Sequence, residues 1–323
     1  MRHGRSDSHG RAPSGRIHST LAVVLTAAPA RSRVRAFIAL TKPRIIELLL
    51  VTTVPTMIVA NRGLPSIWLM INTVIGGTLA AGGANAFNMY LDRDIDALMH
   101  RTKGRPLVTG EVEPKEALVF AAVVETLAFI WLAVFVNVLS AVLAVSACAF
   151  YVFVYTMWLK RTSTQNIVIG GAAGAVPVLV GWSSVTNSVG WAALILFGVI
   201  FFWTPPHFWA LAIKYEADYS AAEIPMMPVV EGYRSTAMQM VVYSAIVWVL
   251  TIAFWWVADM GWIYFLVAMA LGVAFTGGAL RLVSITDREA RQAHSLRYFA
   301  FSITHLTLLF ATLAVDQLVR WGL

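Results

Sequence analysis

Hydrophobic and polar positions fall in long blocks along this chain, not in the short alternations of a strand or a surface helix. Apolar runs cover about residues 44–61, 67–91, 115–136, 138–158, 166–184, 191–213, 235–258, 262–283 and 297–318. A helix needs about 20 apolar residues to cross a bilayer, so the pattern predicts about nine transmembrane helices and an all-α, polytopic membrane protein. The polar punctuation alternates as well. Segments 92–114, 159–165, 214–234 and 284–296 carry Arg93, Arg101, Lys103, Arg105, Lys160, Arg161, Lys214, Arg234, Arg288 and Arg291, whereas the intervening ones carry only Arg62. Because basic residues are retained in cytoplasmic loops, the N-terminus and the charged loops are expected on the cytoplasmic side. Nine spans then leave the C-terminus outside.

Composition supports this reading: 59% of the 323 residues are hydrophobic and 13% charged, too few charges for a soluble chain of this length. The single cysteine, Cys148, excludes an intramolecular disulfide, a redox pair and a cysteine-rich metal site. The net charge of +7 is local. Residues 1–35 hold seven arginines against Asp7, and the remaining residues are nearly balanced, so the excess is no footprint of nucleic acid. Mixed with Ser, Gly, His and Pro, this stretch reads as a disordered basic arm ahead of a nine-helix domain over 36–323. The arm fits a mitochondrial presequence, which would place the protein in the mitochondrial inner membrane. It fits equally a tail resting on anionic lipid of a bacterial cell membrane. "STLAVVLTAAPA" has the flavour of a secretory signal, but cleavage there conflicts with a cytoplasmic N-terminus.

One stretch raises a chemical question: "NMYLDRDIDALMHRTKGRP", residues 88–106, closes an apolar run with acids and then bases. Asn88, Asp92 and Asp96 are spaced four apart. Each such step turns a helix by only about 40° and rises about 6 Å, so the three form one polar stripe if the helix continues. Like charges at this spacing repel, and the stripe persists most readily with cations beside it. Its hard oxygens, without His or Cys, suit Mg²⁺. Magnesium commonly shares its shell with phosphate oxygens, so a diphosphate is a natural third party. Arg101, Lys103 and Arg105 follow at once, and guanidinium forks bind phosphate oxygens. Asp94 lies about 200° around from Asp92 and is expected in solvent or on Arg93.

A second acidic loop, "KYEADYSAAEIPMMP", carries Lys214, Glu216, Asp218 and Glu223. It follows "FFWTPPHFWALAI", where Pro205 and Pro206 predict a break or kink in the helix, with His207 just beyond. His207 reads either as a hydrogen-bonded core residue or as a site residue. "LTKPRIIELLL" places Lys42, Arg44 and Glu47 at the membrane boundary. Lys42 and Arg44 can snorkel to headgroups, while Glu47 pairs with Arg44 or faces a cavity. "YTMWLKRTSTQN" brings Tyr155, Lys160 and Arg161 to the same face. Carboxylates for a divalent cation, guanidinium groups and a mostly apolar interior suit an allylic diphosphate, with a charged head, a greasy tail and a carbocation that aromatic faces stabilise.

"NMYLDRDIDALMHRTKGRPLVTG" resembles the N-x-x-x-D-x-x-x-D signature of the intramembrane aromatic prenyltransferase (UbiA-type) superfamily. Within it, "TKPRIIELLLVTTVP", "YTMWLKRTSTQNIVIGGAAGAVPVLVGW" and "TPPHFWALAIKYEADYSAAEIPMMPVV" resemble the haem-farnesylating branch, over about residues 36–320. The resemblance implies farnesyl transfer from farnesyl diphosphate to a vinyl group of haem B, with water added to give haem O for terminal oxidases. A haem A synthase is the implied downstream partner. It also implies that Asn88, Asp92 and Asp96 form a first Mg²⁺–diphosphate motif, flanked by Arg101 and Arg105. Lys103, Lys160, Arg161 and Lys214 are further candidates for the diphosphate. Asp218 resembles the anchor of a second acidic motif, but Ala222 stands where the superfamily has its second aspartate, leaving Glu216 and Glu223 as the nearest acids. His207, Lys42 and Arg44 are candidates for the haem iron or propionates. A prenyltransferase with a quinone precursor or chlorophyllide as acceptor, and a transporter with ions on broken helices, are the alternatives.

Overall fold

A computed structural model describes residues 30–322 of the chain, and the side chains of all but residues 30–32 and 44–50 among them. The backbone is helical almost throughout. Its first half comprises α1 (Ala30–Leu40), α2 (Pro43–Asn61), α3 (Ile67–Leu91), α4 (Arg93–Leu98), α5 (Pro106–Thr109), α6 (Pro114–Phe135), α7 (Val138–Ala149), a π-helical stretch (Phe150–Leu159) and α8 (Lys160–Thr162). The second half comprises α9 (Asn166–Thr186), α10 (Trp191–Lys214), α11 (Glu216–Ala221), α12 (Met227–Val230), α13 (Gly232–Val257), α14 (Trp262–Val283) and α15 (Arg288–Trp321). Among the described residues, eight helices are long and apolar enough to cross a membrane, and α2, apolar from Val51 to Asn61, makes the ninth member of the bundle. The expected all-α membrane architecture is therefore the observed one.

Local sequence sets the boundaries. Pro43 and Pro114 occupy first-turn positions of α2 and α6, where a missing N–H costs nothing. Glu113 and Glu116 form a reciprocal capping box on α6, and Asn137 accepts from Ser140 N at 2.8 Å to start α7. Asp287 does the same for α15 through Ala290 N at 2.8 Å. That cap starts α15 well before the expected 297, so Arg288 and Arg291 ride its first turns instead of a loop. Residues 30–35, expected within a disordered arm, belong to α1, whose Ala36 and Leu40 pack with Ala86, Met89 and Ala117. The readings of the arm's earlier part, residues 1–29, lie outside the described residues.

The helices close into one bundle, with α3 lying along α6, α2 against α9 and α15, and α10 between α9, α13 and α15. Gly83 permits the α3–α6 approach: a Cβ there would stand 2.6 Å from Glu125 Oε2 and 3.1 Å from Glu125 N. The break expected at Pro205 and Pro206 is absent, because α10 runs unbroken from Trp191 to Lys214. Both prolines are buried in a helix packed on several sides, and neighbouring helices hold its course. Short loops at the far end leave Trp68, Trp191, Trp256, Trp262 and Trp321 exposed, all near helix termini there. Asp316 of α15, buried at 1% exposure, accepts from Gly261 N (2.6 Å) and Tyr264 N (3.1 Å), so one helix caps another at that end. The short helices α4, α5, α11 and α12 gather at the opposite, loop end.

Candidate active site at the loop end

The stripe forms although its helix ends early. Asp92 stands at the junction of α3 and α4 with φ −88° and ψ 3°, yet the register of four survives there: Asp92 N donates to Asn88 O at 2.9 Å and Asp96 N to Asp92 O at 2.8 Å. Asn88, Asp92 and Asp96 are 3%, 0% and 2% exposed. Two buried carboxylates one turn apart are costly unless cations accompany them, and three do. Lys160 pairs with Asp92 Oδ2, Arg105 Nη1 lies 2.5 Å from Asp96 Oδ2, and Lys42 Nζ donates to Asn88 Oδ1 at 2.7 Å. Asn88 Nδ2 donates to Asp92 Oδ2 at 2.8 Å and to Thr156 Oγ1 at 3.1 Å. Asp92 Oδ1 is buried with no hydrogen-bond partner. An orphaned carboxylate oxygen in a stripe whose donors are all hard oxygens, with no sulfur or imidazole, fits a hard divalent cation.

Burial, together with the nearby Arg105 and Lys160, lowers the Lys42 ammonium to about 7. Lys42 adopts φ 52° ahead of Pro43, a left-handed turn that swings its side chain inward. Lys42, a candidate for headgroups or a haem propionate, here contacts the stripe. Arg44 and Glu47 have side chains outside the described residues. Arg161, a candidate for the diphosphate, is held by Asp94 through two bonds of 2.7 and 2.8 Å and donates to Leu91 O at 3.2 Å. Asp94 consequently pairs across to this span and not with Arg93, which donates to Tyr90 O at 2.6 Å. The Arg161 hydrogen bonds hold the Asp94 carboxyl down at about 2.

The second loop meets the first through aromatic residues. Arg101 lies 5.9 Å from the Tyr215 ring centroid and interacts with the buried Tyr219 phenol. Burial raises the Tyr219 phenol, with Arg101 opposing. Asp218 is half-buried beside Tyr219, within electrostatic reach of it. Glu223 is exposed at φ 53°, where it ends α11, so the structure does not draw it into the stripe. Among the described residues no three His, Cys, Asp or Glu side chains form a ready metal cluster. Lys214 reaches Gln292 of α15 at 3.5 Å, and Lys103 is exposed. His207 Nδ1 bonds Ser302 Oγ at 2.6 Å, and its ring stacks on Trp203 and Phe299 with centroids 4.3 and 4.5 Å away, the arrangement of a satisfied core histidine.

Some neighbours of the stripe had no sequence signal. On the π-helical stretch, Tyr151 stacks at 5.3 Å on Tyr155, which the sequence had already brought to this face, and both lie within electrostatic reach of Asp92. Gly170 leaves the space Tyr155 occupies: a Cβ would fall 2.2 Å from its Cδ2. Thr156, on the same stretch, contacts Asn88 directly. Glu125 lies in the middle of α6. Its carboxylate oxygens are buried without a partner, with the Cys148 thiol nearby.

An all-helical membrane bundle with a buried Asn-Asp-Asp stripe ringed by cations defines a class. The signature of the UbiA prenyltransferase family matches residues 49–303, and the chain belongs to that family of prenyl-transferring membrane enzymes. This removes the transporter alternative. The curated relatives narrow the class further. A protein named Protoheme IX farnesyltransferase from Parafrankia sp. is 51% identical over 292 residues, covering 90% of this chain and 93% of that protein. One of the same name from Streptomyces coelicolor is 51% identical over 297 residues, covering 90% and 93%. Among solved structures, a digeranylgeranylglyceryl phosphate synthase shares the fold with a TM-score of 0.71 at 14% identity, over 89% of this chain and 99% of that one. A UbiA homologue from Archaeoglobus fulgidus bound to DMAPP and Mg²⁺ follows at 0.62 and 17%, over 84% and 99%. At those identities the likeness is one of fold.

Proposed function

We propose that the chain transfers a farnesyl group from farnesyl diphosphate to a vinyl group of haem B, giving haem O and diphosphate. The bond from the farnesyl C1 to the diphosphate oxygen breaks, and C1 bonds the terminal vinyl carbon. Water then adds its oxygen to the inner vinyl carbon and releases a proton. The observation that carries this reading is the orphaned Asp92 Oδ1 within a buried stripe that already holds three cationic partners, in a chain about half identical to proteins named for this activity.

Asn88, Asp92 and Asp96 would hold Mg²⁺, with Asp218 contributing from the second loop. The bound cation would neutralise the diphosphate and ease its departure. Lys160, Arg105 and Lys42 neutralise the stripe in its absence, and the same side chains can turn to diphosphate oxygens without crossing the site. Arg101, beside Tyr215 and Tyr219, would join the second loop to the head group. The stacked Tyr151 and Tyr155 present ring faces, which stabilise a nearby carbocation. By the distribution of basic residues the loop end faces the cytoplasm of a bacterial cell.

The test is expression of the full chain in a bacterial host lacking its own haem O synthase, with haem O read by chromatography. Asp92→Ala and Asp96→Ala should insert and fold yet form no product. Incubating the membranes instead with a quinone precursor tests the other acceptor class. Prenylation of that precursor without any haem O would overturn the reading.

A further inference from the structure

The Asn88 amide is held at three points, and two of them are promised elsewhere. Its Nδ2 donates to Asp92 Oδ2 (2.8 Å) and to Thr156 Oγ1 (3.1 Å), and its Oδ1 accepts from Lys42 Nζ (2.7 Å). On the proposed function, on which this inference rests, Asp92 serves the cation and Lys42 the diphosphate. Thr156 is the one anchor with no other engagement toward the ligand. It is 1% exposed, and its hydroxyl proton is committed: Oγ1 donates to Tyr151 O at 2.8 Å, five residues back along the π-helical stretch Phe150–Leu159. A hydroxyl whose proton is spent can only accept. It therefore selects the nitrogen end of the amide and leaves the oxygen end on the other side, toward Lys42.

We infer that Thr156 is a positioning residue for the cation–diphosphate site: presented by the π-helical winding, its hydroxyl fixes the Asn88 amide with the oxygen toward the ligand. Without that acceptor a buried N–H loses its partner, and the amide is free to turn its nitrogen toward a cation, which repels it. The winding matters because it hands the hydroxyl proton to a carbonyl five residues back. A π-helical insertion at a functional site has this use of re-aiming one side chain.

The experiment measures binding, not turnover. The purified full chain in detergent micelles is titrated calorimetrically with inorganic diphosphate at a series of Mg²⁺ concentrations. Thr156→Val should raise the half-saturating Mg²⁺ concentration about tenfold, the equivalent of one lost buried hydrogen bond. Thr156→Ser, which keeps the acceptor, should stay within about twofold of the parent. In an Asn88→Ala background, Thr156→Val should add nothing, because the two act through one contact. Thr156→Ala carries the same expectations and serves if the valine variant fails to fold. A parental midpoint for Thr156→Val or Thr156→Ala, or an undiminished effect in the Asn88→Ala background, overturns the inference. Asp92→Asn separates the two ideas. If it too binds Mg²⁺ and diphosphate as the parent does, the site reading itself is wrong; if it loses binding while Thr156→Val keeps it, only the role of Thr156 is.

Discussion

Replacing Lys160 by methionine is the sharpest test of how the stripe is balanced. The substitution keeps the unbranched stem, one atom shorter, and removes its charge, leaving Asp92, whose side chain is 0% exposed, without its ion-pair partner. Stripping one member from a buried pair costs roughly 3–5 kcal/mol. Lys42 stands near enough to feel Asp92 and offsets part of this, so the lower end, about 3 kcal/mol, is expected. At about 2 °C per kcal/mol for a chain of this size, the metal-free protein should melt roughly 6 °C lower. Added Mg²⁺ supplies positive charge at the same carboxylate, so it should raise the melting temperature of the variant by more than that of the parent. Haem O formation should fall about 100-fold through loss of a cation at the departing diphosphate. Thermal melting in detergent with and without Mg²⁺ reads the first effect, and chromatography of haem products reads the second. A variant that melts with the parent and shows the same Mg²⁺ response would refute the argument that internal cations hold the buried stripe.

Other outcomes follow from the same geometry. Arg161→Gln should retain product formation within a few-fold and lose under about 1 kcal/mol in a melting assay, because its partner Asp94 is 60% exposed and the pair is solvent-screened. Gly170→Ala should cost about 1–3 kcal/mol by overpacking and reduce turnover, since the added methyl meets the Tyr155 ring. His207→Ala should lower the melting temperature through loss of a buried hydrogen bond and two ring stacks, and a parental melting curve would count against its core role. Removal of divalent cations with a chelator should abolish haem O formation, and Mg²⁺ should restore it.

The eight spans among the described residues, and the shorter apolar stretch of α2, were legible because a bilayer demands length and apolarity. Asn88, Asp92 and Asp96 were legible because a spacing of four keeps one face, even across a junction where the helix formally ends. What sequence concealed came from long-range partners. Nothing in "TKP" says that Lys42 turns inward, since the turn depends on a left-handed backbone and on Asn88 waiting 46 positions later. Nothing in the sequence pairs Arg161 with Asp94, whose two bonds join positions 67 apart. Pro205 and Pro206 read as a break by local rules, which packing on several sides overrides. The π-helical winding has no residue signature, so the contact of Thr156 with Asn88 could not be placed from the motif around it. Glu125 lay inside a run that apolar averaging smooths over.

The exposed indoles at the far end give the molecule a preferred hanging point. Rigid amphipathic rings resist leaving the headgroup layer, while the long lysine and arginine side chains at the other end can stretch or fold to stay in water. A bilayer that thickens or thins would therefore be felt first where the short helices gather, and lipid composition would tune how deeply a polyisoprenoid head group must dip to be captured.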